Sequence, residues 1–386
     1  MISNRIKIVT LLLLLSSCGG QKKESDIKLD EENNKSNNEY ASYFEIAINN
    51  NSDKIITIDE AWGTNIEKSS YLLLKNNKET TKKKSSIYPN STVIKTPVKK
   101  IICMSTSHLP FIKLLGESAS IVAVSGAKYI SDAEIKESIN EGLIIDIGYE
   151  ASINYEVLMK LNPNVVFTYG VSGENNQYIE KIKQAGINVV VVSDYVENHP
   201  LGKLEYLKFF GAFFNKEELA DSLYNTIKNR YLETKSKATR ATKRPKVLLN
   251  APWKDAWYIP GEYNYMSKLI KDAGADVLLS KPGESHSYTY SIENIIKEAY
   301  SADYWLNPNF YSTLKELKNS NPVFTNLPVL EKGKVYNNNN RDTPGGGSDF
   351  WERGVVEPDV ILQDLINILH PELVNKKELV YYKLLK

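Results

Sequence analysis

A chain of 386 residues, 42% of them hydrophobic, is long enough to bury two cores, and a net charge of +1 with 25% charged residues gives it no polyelectrolyte character. That balance argues against nucleic acid as a partner. With only two cysteines, one of them at the end of the leader discussed next, a disulfide framework is excluded and Cys103 reads as a small hydrophobe in an apolar IICM strand.

In chain order, Arg5 and Lys7 precede an apolar run from Ile8 to Leu15 that is too short to span a bilayer and ends in Leu15-Ser16-Ser17-Cys18-Gly19. This resembles a bacterial lipoprotein signal over residues 1–17. It implies cleavage before Cys18, lipidation there, and a firm anchor in the membrane; an ordinary secretory signal is the competing reading. Residues 18–40 carry charges and asparagines with almost no large apolar side chains, so a disordered tether is expected. From 41 to 97, short apolar runs (YFEIAI, KIITID, SYLLLK, STVIK) alternate with Asn, Asp, Lys and Ser clusters, predicting a β-rich extension of short antiparallel strands and hairpins.

The pattern changes at about residue 98. IICMS, SIVAVSG, IIDIG, NVVFTYG and INVVVVSDY read as strands, and helical patterns lie between them; this is βα alternation, and it predicts an α/β lobe with a mostly parallel sheet over 98–214. Ligands of such sheets bind outside the carboxyl ends of the strands. Those ends here carry Ser107 and His108, Tyr129, Tyr149 and Tyr169.

Residues 215–242 then recur in apolar character at helical spacing (Leu219, Leu223, Ile227, Tyr231), with no Gly or Pro, acids in the first turn and bases in the last. One long connecting helix is expected. Alternation resumes over 243–386, with RPKVLLN, DYWLNP and GKVYN as strands and PDVILQDLINILH as the helix that closes the second lobe. The halves echo each other: Asn154-Tyr155-Glu156 leads a helix into NPNVVF, and Ser291-Ile292-Glu293 leads a helix into SADYWL. The expected fold is therefore α/β, two Rossmann-like lobes with mostly parallel sheets joined by one long α-helix, plus the N-terminal β-rich extension.

Over about residues 98–370 this arrangement resembles the substrate-binding lipoproteins of ABC importers for iron chelates, haem and cobalamin, the helical-backbone class III type, most like Bacteroidetes-type members. The resemblance rests on Asn154, Glu156, Leu161 and Pro163 in the first lobe and Ser291 and Glu293 in the second, with Asn164 and Ala302 departing from the usual pattern. It implies a ligand held between the lobes and a pair of carboxylates, Glu156 and Glu293, that dock on a dimeric permease. Taken singly, each glutamate is also what a helix N-terminus favours.

Aromatic side chains collect where such a ligand would lie: Trp253, Trp257 and Tyr258 in one run, Tyr288 and Tyr290 in another. Large rigid amphipathic rings cover a flat chelate at low entropic cost. The loop from Arg341 to Arg353, with three consecutive glycines and Trp351, would bring backbone N–H groups and two arginines to ligand carboxylates. Arg353 paired with a structural carboxylate is the alternative. His108 is a candidate axial ligand to haem iron or corrin cobalt, against the plainer reading of a hydrogen-bonded cap or surface histidine.

No G-x-S-x-G elbow, H-E-x-x-H or cysteine cluster occurs, so no catalytic residue, resident metal or cofactor is assigned. The sequence thus predicts a monomeric, lipid-anchored receptor on the periplasmic side of the cell envelope. It would capture a metal chelate (ferric siderophore, haem or cobalamin) and deliver it to an ABC permease dimer. A scavenging or adhesion lipoprotein without an importer, and a periplasmic hydrolase, are the alternatives from other classes.

Overall fold

The computed structural model describes residues 35–36, 38–48, 53–62, 65–75, 91–149, 152–170, 176–373 and 378–386. Cys18 and the signal segment lie outside the described residues, as does the tether up to residue 34. Among the described residues no helix is long and apolar enough to cross a membrane.

The first sheet has the order β1-β2-β3-β4-β5, made of Lys35–Ser36, Phe44–Ile48, Lys54–Trp62, Asn65–Lys75 and Ser91–Thr96. Phe44, Ile46, Ile56, Ile58 and Ile94 face the main core with the period of two expected of strands, as do Tyr71 and Leu73, while Leu72 and Leu74 of the same strand are buried on the other face. The pairing departs from the expected hairpins, because β5 runs parallel to β4 and parallel neighbours need a crossover instead of a tight turn.

Residues 35–36 and 38–40, expected to belong to the tether, are structured. Lys35 pairs with Ala47 in the sheet, and the backbone N–H groups of Glu39, Tyr40 and Ala41 all donate to the buried carboxylate of Glu205 at 2.8–2.9 Å. Counting apolar side chains missed this segment because backbone N–H bonds to Glu205 do much of the holding, with one ring, Tyr40, stacked on His199.

The first lobe carries β6 (Ile101–Cys103), β7 (Ile121–Val124), β8 (Ile145–Asp146), β9 (Val165–Tyr169) and β10 (Val189–Val192) in the order β10-β9-β6-β7-β8, all parallel. The four valines of β10 are all buried, as expected where helices cover both faces. The helices are α1 (His108–Leu114), α2 (Ala133–Asn140), α3 (Tyr155–Leu161) and α4 (Asn176–Gln184).

Three helices lead out of this lobe: α5 (Pro200–Leu204), α6 (Tyr206–Phe214) and α7 (Glu217–Ala238). The last is the expected connecting helix, 22 residues long and so about 33 Å. Its start differs from expectation, because Asn215 adopts a left-handed conformation (φ 55°) and ends α6 instead of opening α7. Its buried stripe is Ala220, Tyr224, Ile227, Tyr231, Thr234 and Ala238, whereas Leu219 is exposed. Gly211 explains that register, since a Cβ there would sit 2.7 Å from the Ala220 methyl; the two helices touch through their smallest side chains.

The second lobe contains β11 (Lys246–Leu249), β12 (Trp257–Pro260), α8 (Tyr265–Asp272), β13 (Asp276–Val277), β14 (Ser287–Tyr290), α9 (Ile292–Ala299), β15 (Tyr304–Leu306), α10 (Leu314–Ser320), α11 (Pro328–Glu331), β16 (Val335–Asn337), α12 (Pro358–Leu369) and β17 (Lys383–Leu384). Its main sheet has the order β13-β11-β15-β16-β17, parallel except for β17, and β12 and β14 form a separate antiparallel pair. The expected last helix does not end the lobe. The Asp364 carboxylate on α12 accepts the N–H groups of Val380, Tyr381 and Tyr382, and this pins the returning chain so that β17 can join the sheet.

One apolar cluster runs through both lobes and the helices between them, from Phe167 and Phe210 through Tyr231 to Leu249 and Leu365. Smaller clusters back the outer faces, around Leu158 and Ile179 in the first lobe and Trp257, Trp305 and Phe324 in the second. The molecule is two α/β lobes with largely parallel sheets joined by long helices, and the shared core resists wide separation of the lobes.

Candidate functional site

The carboxyl ends of the first-lobe strands form one wall of a cleft of ≈ 270 Å³. β6 delivers Met104, Ser105 and Thr106, β7 delivers Ser125, the loop after β8 delivers Tyr149, and β9 ends in Tyr169. Tyr129 stands on the turn after β7, and its ring meets that of Tyr149 edge-on at 5.2 Å between centroids. Gly126 makes this possible: it is left-handed (φ 72°), and a Cβ would lie 3.0 Å from each tyrosine ring. Asp146 organises the same loops by accepting the N–H groups of Gly126, Ala127 and Gly148 at 3.0–3.1 Å. Ser125 donates to the Gly148 carbonyl at 2.8 Å.

The opposite wall is the second-lobe loop, through Gly346, Gly347, Ser348 and Trp351. The loop is closed by its own bonds: Thr343 N–H donates to the Gly347 carbonyl and Gly347 N–H to the Thr343 hydroxyl. Its glycines serve close approach between the lobes. Added Cβ atoms at Gly345 and Gly347 would fall 2.1 Å from the Lys128 carbonyl oxygen and 1.8 Å from that of Tyr129. A few residues on, Glu352 accepts the N–H groups of Ser131 and Asp132, and Asp349 accepts the Ser131 hydroxyl. Burial pushes the Glu352 carboxyl above its ordinary value, against the pull of those two N–H groups.

The structure brings together four of the residues singled out from sequence, Tyr129, Tyr149, Tyr169 and Trp351, and places Ser107 beside them, its hydroxyl 3.0 Å from that of Ser105. Others go elsewhere. His108 is neither cap nor surface nor cleft ligand; it is fully buried beside Phe210, with Nε2 3.9 Å from Asp194. Burial lowers its pKa to about 4, so the ring is neutral. Trp257 is 0% exposed, stacked on Trp305 with its Nε1–H donating to the Leu249 carbonyl, which makes it core.

Trp253 and Tyr258 are exposed, but neither lines the cleft. Tyr290 donates its hydroxyl to the Leu279 carbonyl, and Tyr288 lies under the Lys281 ammonium at 3.6 Å. Along β12 the side chains alternate, Trp257 inward and Tyr258 outward, so a dense aromatic run does not make one wall. The two arginines of the loop are paired through their Nε atoms, Arg341 with Asp349 at 2.9 Å and Arg353 with Glu357 at 2.8 Å, and neither is in the lining of the cleft.

Behind Trp351 lies a buried cation that sequence reasoning missed. Lys203, on α5, holds its ammonium 4.9 Å from the Tyr265 ring centroid and 5.8 Å from that of Trp351. Burial lowers its pKa, and the facing carboxylates of Asp194 and Glu197 oppose that shift. A lysine inside an apolar pattern (PLGKL), with Glu197 before it and Glu205 after it, was the available signal, and nothing in it marked burial.

Glu156 and Glu293 are both exposed in the first turns of α3 and α9. The two helices are capped alike, Asn154 accepting the N–H of Val157 and Ser291 that of Asn294. Hydrogen bonding at the helix start holds the Glu293 carboxyl below its ordinary value.

Two other depressions occur: a polar groove of ≈ 340 Å³ along α7 and α12, and a small one of ≈ 170 Å³ beside Glu262. The first lies along helices, and the second touches the end of the edge strand β13 alone, not the ends of several neighbouring strands. The inter-lobe cleft lies at such ends, and it is the candidate site. Among the described residues no group of three or more His, Cys, Asp or Glu could hold a metal ion.

An uncharacterized lipoprotein of Methanocaldococcus jannaschii is 28% identical over 299 residues, 75% of this chain and 69% of the relative. Among solved structures, a possible iron-binding periplasmic solute-binding protein from Staphylococcus epidermidis superposes with a TM-score of 0.54 at 18% identity, covering 71% of this chain and all of that one. A periplasmic heme-binding protein from Pseudomonas aeruginosa superposes with a TM-score of 0.53 at 15% identity, covering 71% and 93%. At these identities the structures speak for the fold. Residues 101–341, well over half of the chain, match the periplasmic binding protein family, and the chain belongs to that family of non-catalytic solute-binding proteins.

Proposed function

We propose that this protein is the lipid-anchored receptor of an ABC importer that captures a metal chelate between its lobes and hands it to the permease. The observation that carries this reading is the cleft itself: three tyrosines at the strand ends of one lobe face a tryptophan on a glycine loop of the other. Rigid rings on both walls suit a ligand with flat faces, and the ring hydroxyls suit its polar rim. Solved structures of the same fold are named for iron and heme binding, and the M. jannaschii relative is named a lipoprotein, which supports anchoring at Cys18.

Delivery is assigned to Glu156 and Glu293. Each is exposed at the start of a matching capped helix, one per lobe, so that two carboxylates would set the orientation of docking on a two-fold permease. The receptor acts as a monomer in this scheme.

The test is uptake of a radiolabelled chelate by cells carrying Glu156→Lys with Glu293→Lys. Ligand affinity of the purified variant should stay within about twofold, and uptake should fall by about tenfold or more, as expected for lost interface charges. Uptake that survives the double reversal would remove the docking assignment and favour a scavenging lipoprotein without an importer.

A further inference from the structure

Resting on that reading, we infer that the chelate this cleft takes carries no net charge. The lining supplies hydroxyls from Ser105, Thr106 and Ser348, the three tyrosines, Trp351, and glycine backbone; among the described residues it includes no Lys, Arg, His, Asp or Glu. An anionic ligand moved into such a space leaves water without gaining a counter-charge, and a cationic one fares no better.

Three of the cations close to the cleft already face carboxylates, and none of the three is in its lining. Arg341 pairs with Asp349, and Arg353 with Glu357. Lys203 is buried (5% exposed), with its ammonium 5.8 Å from the Trp351 ring centroid and facing Asp194 and Glu197. Lys128 is exposed, with its ammonium 4.7 Å from the Tyr129 ring centroid and outside the lining.

What the lining does offer is hydrogen bonding in both senses plus aromatic faces. A chelate whose outer surface is amide, hydroxamate or hydroxyl oxygen, with its metal charge cancelled internally, matches that offer. One that presents free carboxylates or an uncompensated anionic metal centre does not. The sequence gives no sign of this, because Arg341 and Arg353 frame the loop and invite the opposite conclusion.

The experiment titrates the full chain in detergent with four probes: an uncharged ferric trihydroxamate, cyanocobalamin, a ferric tris-catecholate trianion, and haem with its two propionates. Each titration is run at about 0.05 and about 0.5 M NaCl, a range over which the screening length shortens severalfold. At least one uncharged probe should bind with micromolar affinity or better, changing by less than about twofold with salt, and both anionic probes should bind at least about tenfold more weakly. An anionic probe that binds as tightly, with affinity falling steeply in salt, would overturn the inference and leave the metal-chelate reading standing. Failure of all four probes would overturn that reading together with the inference.

Discussion

The carboxylate of Glu352, in the second lobe, accepts the backbone N–H of Ser131, in the first, at 2.7 Å, and that of Asp132 at 2.8 Å. Glu352 is 1% exposed and its partners are half-buried, so the carboxylate end of this clasp between the lobes is shielded from water. Glu352→Ala leaves two partly buried N–H groups without this acceptor and should destabilise the protein by about 2 kcal/mol in urea titration. Amide exchange at 131–132 should speed up in the same variant. Unchanged exchange there would mean the clasp does not close the lobes.

The aromatic run splits by burial. Trp257→Ala opens a cavity in the packed Trp257–Trp305–Phe324 cluster and should cost about 3–5 kcal/mol. Trp253, 56% exposed, should change stability by no more than about 0.5 kcal/mol when made alanine. Thermal or urea unfolding of the two variants separates the roles, and equal effects would contradict the core assignment.

Two buried glutamates tie the N-terminal strap to α5 and α6, Glu205 through Glu39, Tyr40 and Ala41, and Glu197 through Ser42 and Tyr43. Burial pushes the Glu197 carboxyl up from 4.5 to about 7, with Glu205 adding to the rise and Lys203 and the strap N–H groups opposing it. A raised folded-state pKa favours folding while the group is protonated, and that advantage is lost as pH rises through the folded value. Relative to Glu197→Gln, wild type should therefore lose about 3 kcal/mol between pH 4.5 and about 7 and nothing further above. A difference independent of pH would contradict the desolvation of this carboxyl.

His108 runs the other way. Its folded-state pKa, near 4, lies below the ordinary 6.5, so its contribution is present above 6.5 and lost as pH falls toward 4. Among the described residues, neither ring nitrogen has a hydrogen-bond partner. His108→Leu should accordingly leave stability at pH 7 unchanged or higher and flatten the acid-side loss, since an unsatisfied buried polar group is exchanged for an apolar one. Chelate affinity should hold; its abolition would return His108 to the cleft as a ligand.

The βα alternation was legible because buried parallel strands and amphipathic helices carry different periods, and the matched caps at Asn154 and Ser291 were legible because capping is local chemistry. Tyr129, Tyr149, Tyr169 and Trp351 could be placed from their positions after strands or on a glycine loop. Glu197, Glu205, Glu352 and Asp364 were not legible. A carboxylate that captures distant backbone N–H groups looks in sequence like any surface acid, and only the tertiary approach of the other segment reveals its role. Trp257 failed for a nearer reason: the WYIP strand has period two, and treating it as one aromatic wall ignored the alternation.

The most direct measurement is a tryptophan-fluorescence titration of wild type, Trp351→Ala and Trp253→Ala against the chelate panel, with inner-filter controls. A solute held in the inter-lobe cleft should quench wild type saturably, bind Trp351→Ala at least about tenfold more weakly, and bind Trp253→Ala within about twofold of wild type. Affinity retained in Trp351→Ala but lost in Trp253→Ala would move the site out of the cleft and contradict the assignment on which the rest depends.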